Sequence, residues 1–118
     1  DALEQAASHS TVPDTWAELD TSRLMECMDT TDGVMALFRH IQRTAVRCGM
    51  DEPGCFQVGG LSDSGITVAC GIPTVCAMGV RGEGNHTPTE YAEVESLFER
   101  CILAACAAGS LEDGFTEQ

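Results

Sequence analysis

The residues with the clearest chemical potential lie between Gly59 and Tyr91, where His86 ends a glycine-laced loop that follows an apolar run. Gly79, Gly82 and Gly84 supply the unusual φ values of a tight loop and let backbone N–H groups approach a ligand closely. A neutral imidazole is the commonest transition-metal ligand, and His86 offers one at the loop's rim. Glu90 and Tyr91 follow it, and Glu83, Glu90 and Asp63 are the nearby carboxylates able to add oxygen ligands. A catalytic zinc needs about three protein ligands and a water. His9 and His40 do not join His86 by spacing, and His40 falls on an arginine-bearing helix where a solvent-facing role is expected.

Gly59-Gly60 followed by Ser62-Asp63 has the form of a turn into a helix. Free N–H groups and a hydroxyl there can hold an anion such as a carboxylate, or serve as an ordinary N-cap. Gly82-x-Gly84 precedes a polar turn and not a helix, so it is no dinucleotide fingerprint. Ser64 lacks the flanking glycine spacing of a nucleophile elbow.

The elements that must position these groups follow from periodicity. Val34, Leu37, Phe38, Ile41, Ala45 and Cys48 share one helical face, with Thr31 or Asp32 as cap and Gly49 as stop. Cys55–Val58 and Pro73–Met78 are predicted strands. Between them a short helix is expected from Ser62 or Asp63 to about Cys70, although Ile66, Thr67 and Val68 suit a strand equally. Ser96 with Glu99 is a capping-box pattern for a last helix carrying Leu97, Cys101, Ile102 and Ala105 toward a core, with Gly109 ending it. Alternation of helix and strand predicts an α/β layered arrangement with parallel strands. A sheet of two short strands needs completion by the first 30 residues or by further sequence.

Bulk properties narrow the class. The 118 residues allow one core, and 43% apolar with 5% aromatic content suits an α/β or α-rich domain. The net charge is −13, and the six basic residues are all arginine. Such a chain repels polyanions, and the Arg39, Arg43, Arg47 stripe reads as a solvated helix face, so no nucleic-acid partner is expected. No apolar stretch reaches a membrane span, so no membrane partner is expected either. Seven cysteines, an odd number without Cys-x-x-Cys spacing or a secretory signal, favour free thiols in a reducing, cytoplasmic setting. Residues 1–32 carry eight acidic side chains against one arginine and read as a connector, and a start at Asp1 without Met suggests an excised or processed piece.

The ordered run Gly59-Gly60-Leu61-Ser62-Asp63, then Gly71-Ile72-Pro73-Thr74, then Gly79-x-x-Gly82-x-Gly84-x-His86-Thr87-x-x-Glu90-Tyr91, then Leu97-x-x-Arg100, resembles the C-terminal segment of the zinc-dependent aminoacylase and carboxypeptidase family. That family includes acetylornithine deacetylase, succinyl-diaminopimelate desuccinylase, glutamate carboxypeptidase and peptidase T-like enzymes. The resemblance spans about residues 23 to 108. It implies a partial three-layer α/β sandwich, with 1–30 as a connector or the end of a lid domain, 31–109 as the C-terminal part of a catalytic domain, and 110–118 as an acidic tail. It further implies amide hydrolysis of N-acyl amino acids or small peptides at a centre of two zinc ions, with cobalt as the alternative metal, a bridging water as nucleophile and a glutamate as base. His86 would be a zinc ligand, Ser62, Gly82 and Gly84 would lie near the substrate carboxylate, and Asp63 and Glu90 would support them. Gly65 stands where many relatives have Asn. The family's upstream His-x-Asp motif, bridging Asp, Glu pair and lid histidine match nothing in this chain, so it is expected to be inactive alone. A homodimer is a further partner expectation; the alternative functions are a non-enzymatic acidic binding module holding a carboxylate ligand in the Ser62 and glycine loops without metal, and an interaction fragment whose exposed sheet edge pairs with a partner.

Overall fold

A computed structural model of the chain describes residues 2–22 and 25–113. In order these form α1 (Ala2–Ala7), α2 (Asp32–Arg47), α3 (Ser64–Ala69), β1 (Gly82–Glu83), β2 (Tyr91–Ala92), α4 (Val94–Gly109) and a 3-10 turn at Leu111–Asp113. Arg23 and Leu24, where the family resemblance begins, and residues 114–118 of the expected tail lie outside the described residues.

α2 begins where the sequence places it. Thr31 is extended, and its hydroxyl accepts the Val34 N–H at 3.2 Å, satisfying one orphan donor of the first turn. Asp32 in the first turn and Arg47 in the last both oppose the helix dipole. Gly49, at φ 75°, reverses the chain, and the Met50 N–H reaches back to the Ala45 carbonyl at 3.0 Å.

The core is the seam between α2 and α4. Ile41 and Ala45 meet Leu103 and Ala107, with Leu37, Met50, Val75 and Met78 packed around them. Burying a side chain such as Ile41 or Leu103 stabilises by roughly 1.5–3 kcal/mol, and the two alanines let the helices approach closely. Leu103→Ala would remove the largest side chain on the α4 side of this small cluster.

The expectation of a three-layer α/β sandwich is not met. The described chain is mostly helical, with one two-stranded antiparallel sheet pairing Gly82 with Ala92 and Glu83 with Tyr91. Neither Cys55–Val58 nor Pro73–Met78 forms a strand. β-Propensity expresses packing on a paired, half-buried surface, and these segments find no ladder neighbour among the described residues. Pro73 has no N–H to donate, and Ala77 sits at φ 59°, which breaks the extended path. Val75 and Met78 instead lie against the helical core, while Phe56 and Val58 are exposed.

α4 also begins differently from its expected capping box. Glu93 is the N-cap and makes no side-chain cap bond, whereas Ser96 is fully buried inside the first turn. The Ser96 hydroxyl donates to the Glu93 carbonyl at 2.6 Å and accepts the Arg81 N–H at 2.9 Å. Glu99 turns away to Arg81. Opposite the buried Ser96, Leu103 and Ala107, α4 presents Val94, Phe98 and Ile102 to solvent. A helix apolar on all sides belongs in an interior.

The molecule is correspondingly open. Its radius of gyration is 19.4 Å, against about 13.5 Å for a compact domain of this length. Its accessible surface is 9462 Å², against roughly 6,200 Å² for a compact monomer of this mass. Among the described residues no helix is long and apolar enough to cross a membrane.

Candidate functional site

His86 stands at the tip of the β1–β2 hairpin. The strands close because residue 82 is glycine: a Cβ there would run into the Tyr91 carbonyl oxygen. Gly84, at φ 75°, opens a turn in which the Thr87 N–H and hydroxyl both donate to the Gly84 carbonyl, at 3.0 and 2.7 Å. In that four-residue turn His86 is the third residue, with φ 65°. Positive φ at this position is ordinarily met by Gly or Asn. Thr87 holds the descending arm as well, taking the Thr89 N–H on its hydroxyl at 3.3 Å and the Glu90 N–H on its carbonyl at 3.2 Å. The His86 side chain is exposed and has no hydrogen-bond or ion-pair partner among the described residues.

The hairpin's base is fixed to α4 through Arg81. Its Nε donates to Glu93 at 3.0 Å and its Nη1 to Glu99 at 2.6 Å, and these bonds, Glu99 first, raise the guanidinium's already high pKa. The Glu93 N–H donates to the Arg81 carbonyl at 2.8 Å. A stem braced at Arg81 therefore carries an exposed, unpartnered imidazole outward, together with exposed Glu83, Glu90 and Tyr91.

Ser62 and Asp63 belong to a separate loop before α3. Asp63 occupies the N-cap in αR geometry, exposed and without a side-chain cap bond, while its carbonyl accepts the Ile66 N–H at 3.1 Å. The Ser62 hydroxyl accepts the Ser64 N–H at 3.2 Å and lies 3.4 Å from the Cys76 sulfur. Hydrogen bonds from Ser62 first, then Ser64, hold the Cys76 thiol below the ordinary thiol range, against the effect of burial. No hydrogen bond among the described residues joins this loop to the hairpin. Gly82 and Gly84 are thus explained by the hairpin's own geometry, and the Ser62 hydroxyl is already engaged within its loop.

Two features escaped the sequence reasoning. Cys76, expected inside a buried strand, is exposed and serine-bonded, and the serine-rich turn upstream was its one signal. His40, expected to face solvent, is buried, with Nε2 3.0 Å from the Ala107 carbonyl oxygen. Gly65 is glycine because the main chain at Glu26 passes directly over it.

Among the described residues no group of three or more His, Cys, Asp or Glu side chains could hold a metal ion. The described residues therefore do not form a zinc centre by themselves. A shallow cleft of about 260 Å³ on α2 is lined by Arg39, Gln42, Arg43, Val46 and Glu52, none of them in either loop. No family model, curated protein or solved structure matches the chain.

Proposed function

We propose that this chain supplies one metal-ligating hairpin to a zinc-dependent amide hydrolase acting on N-acyl amino acids or small peptides, and that it has no hydrolytic activity alone. One observation carries this reading: His86 occupies a turn position at φ 65° that favours glycine, on a stem braced by Arg81, with its imidazole free of any partner among the described residues. A backbone held in a sparsely populated conformation costs free energy, and such positions cluster at functional sites. The ordered motifs around His86, which resemble the C-terminal segment of that hydrolase family, favour metal ligation over a bare surface role. One imidazole falls short of the about three ligands of a catalytic zinc, so the other ligands and the catalytic base come from residues outside this set.

The test is a zinc titration followed by NMR on the purified chain, together with an N-acetyl amino acid hydrolysis assay. Expected are weak binding that perturbs the His86 ring, its loss in His86→Ala, and no turnover. Tight zinc binding, binding unchanged in His86→Ala, or hydrolysis by the chain would each defeat the proposal.

A further inference from the structure

We propose that Cys48 and Cys106 are a site of oxidative modification, forming an intramolecular disulfide with a glutathione-type disulfide as oxidant and stapling the carboxyl end of α2 to α4. This goes beyond the metal-binding reading and does not depend on it.

Placement in the seam carries the inference. Cys48 is the half-buried C-cap of α2, and Cys106 is an exposed residue of α4 directly before the buried Ala107. Ala45 and Ala107 pack in the same core, so the two helices meet there through small side chains. Arg47 Nη2 donates to the Ser110 hydroxyl at 3.2 Å, and that hydroxyl donates to the Cys106 carbonyl at 2.7 Å. His40 adds a second tie at the Ala107 carbonyl, 3.0 Å away. These contacts fix the backbones on either side of the pair, so that Cys48 and Cys106 stand at the same end of the seam. The neighbouring Cys106 thiol first, and then partial burial, hold the Cys48 thiol above the ordinary range, Arg47 opposing in part. No other cysteine among the described residues has a second thiol as its partner.

The chemistry balances as thiol–disulfide exchange. The exposed Cys106 thiolate attacks one sulfur of oxidised glutathione, making a mixed disulfide and releasing one glutathione thiolate. Cys48, on losing its proton, attacks the Cys106 sulfur and displaces the second glutathione. Two electrons from the protein thiols reduce the glutathione S–S bond, and the two thiol protons end on the two glutathiones. Because Cys48 holds its proton more firmly, this closing step accelerates as pH rises. The bond closes a long loop, which removes entropy from the unfolded chain and raises resistance to unfolding.

The experiment is equilibration of the full chain in oxidised glutathione, in buffer and in denaturing urea, followed by alkylation and peptide mapping. In buffer the 48–106 cross-link is expected to outweigh every other pair, and the oxidised chain should unfold at higher urea than the reduced one. In urea, loop closure favours near neighbours, so links such as 48–55, 70–76 and 101–106 should replace it. Cys48→Ser and Cys106→Ser should each abolish the link, and Cys55→Ser should leave it. A 48–106 link no more abundant in buffer than in urea, or oxidation yielding only local or interchain links, would overturn the proposal.

Discussion

The Nε2 of His40 lies 3.0 Å from the carbonyl oxygen of Ala107, a buried contact across 67 residues of sequence. A carbonyl only accepts, so Nε2 carries a proton in this bond. Ala107 is in the last turn of α4, where backbone carbonyls lack partners within the helix. The imidazole therefore satisfies an orphan acceptor that the seam would otherwise bury.

His40→Ala should for this reason destabilise the chain. Leaving a buried acceptor unpaired costs roughly 1–3 kcal/mol, before any loss of packing. The measurement is the urea midpoint by circular dichroism, with His9→Ala, at an exposed site, as the silent control. A His40→Ala chain that unfolds at the parent midpoint would refute the assignment.

The same contact marks where the sequence stops being legible. α2 could be read because its cap at Thr31, its apolar spacing from Val34 to Ala45 and its stop at Gly49 are all local. His40 could not, because it sits beside Arg39 and its acceptor belongs to the far end of another helix. The same holds for Pro73–Met78, whose β-branched and apolar composition speaks for a strand only if a neighbour supplies hydrogen bonds. Among the described residues no neighbour does so, and Val75 and Met78 serve the helical seam instead. The hairpin at 82–92 has a ladder too short to show alternation, so only its glycines and threonine betray it. Of the candidate site, His86 on a glycine turn was legible, whereas the bond between Ser62 and Cys76 depends on how α3 folds the intervening chain back.

Cys76 should react at lower pH than the other exposed thiols. Ser62 and Ser64 hydroxyls donate to the thiolate form and lower its pKa, so the rate–pH curve shifts toward acid. Peptide-resolved iodoacetamide kinetics would show this, with Ser62→Ala returning the Cys76 curve toward that of Cys55. The sign for stability is fixed as well: a thiol pKa lowered by folding adds stability above the unfolded pKa and loses it as pH falls through the folded one. The contribution is therefore absent in acid and grows as the pH rises through the folded-state pKa. Coincident curves for Cys76 and Cys55 in the parent chain would show that the serine contacts do not persist in solution.

Gly65→Ala should loosen the segment that crosses α3. Its new Cβ would collide with the Glu26 carbonyl oxygen, a backbone atom that cannot swing aside as a side chain does. Overpacking of this kind costs typically about 1–3 kcal/mol. Gly54→Ala is the matched control, since a Cβ at Gly54 meets nothing within 4 Å. Removing a glycine's freedom in the unfolded chain should leave that variant neutral or stabilised by up to about 1 kcal/mol. Amide exchange at residues 25–28 would locate the disturbance, and equal midpoints for the two variants would contradict the close approach.

His86→Gly separates what the turn needs from what the imidazole does. At φ 65° a residue with a Cβ pays a steric cost of roughly 1–2 kcal/mol that glycine escapes. Glycine also loses more backbone entropy on folding, so the expected net gain in hairpin stability is smaller, on the order of 1 kcal/mol. The hairpin ends on Arg81 and its two glutamates, so this gain should appear as slower amide exchange at Gly82 to Ala92 with little change in α2. Zinc-induced shifts in the hairpin should vanish in the same variant. His86→Asn refines the comparison, because Asn tolerates positive φ yet lacks the imidazole. If both variants stabilise the turn and both lose the zinc response, the strained histidine is held in place for its ring. Should His86→Gly leave the hairpin unchanged or weaker, the conformation at residue 86 carries no cost, and the observation on which the metal-ligand reading stands is lost.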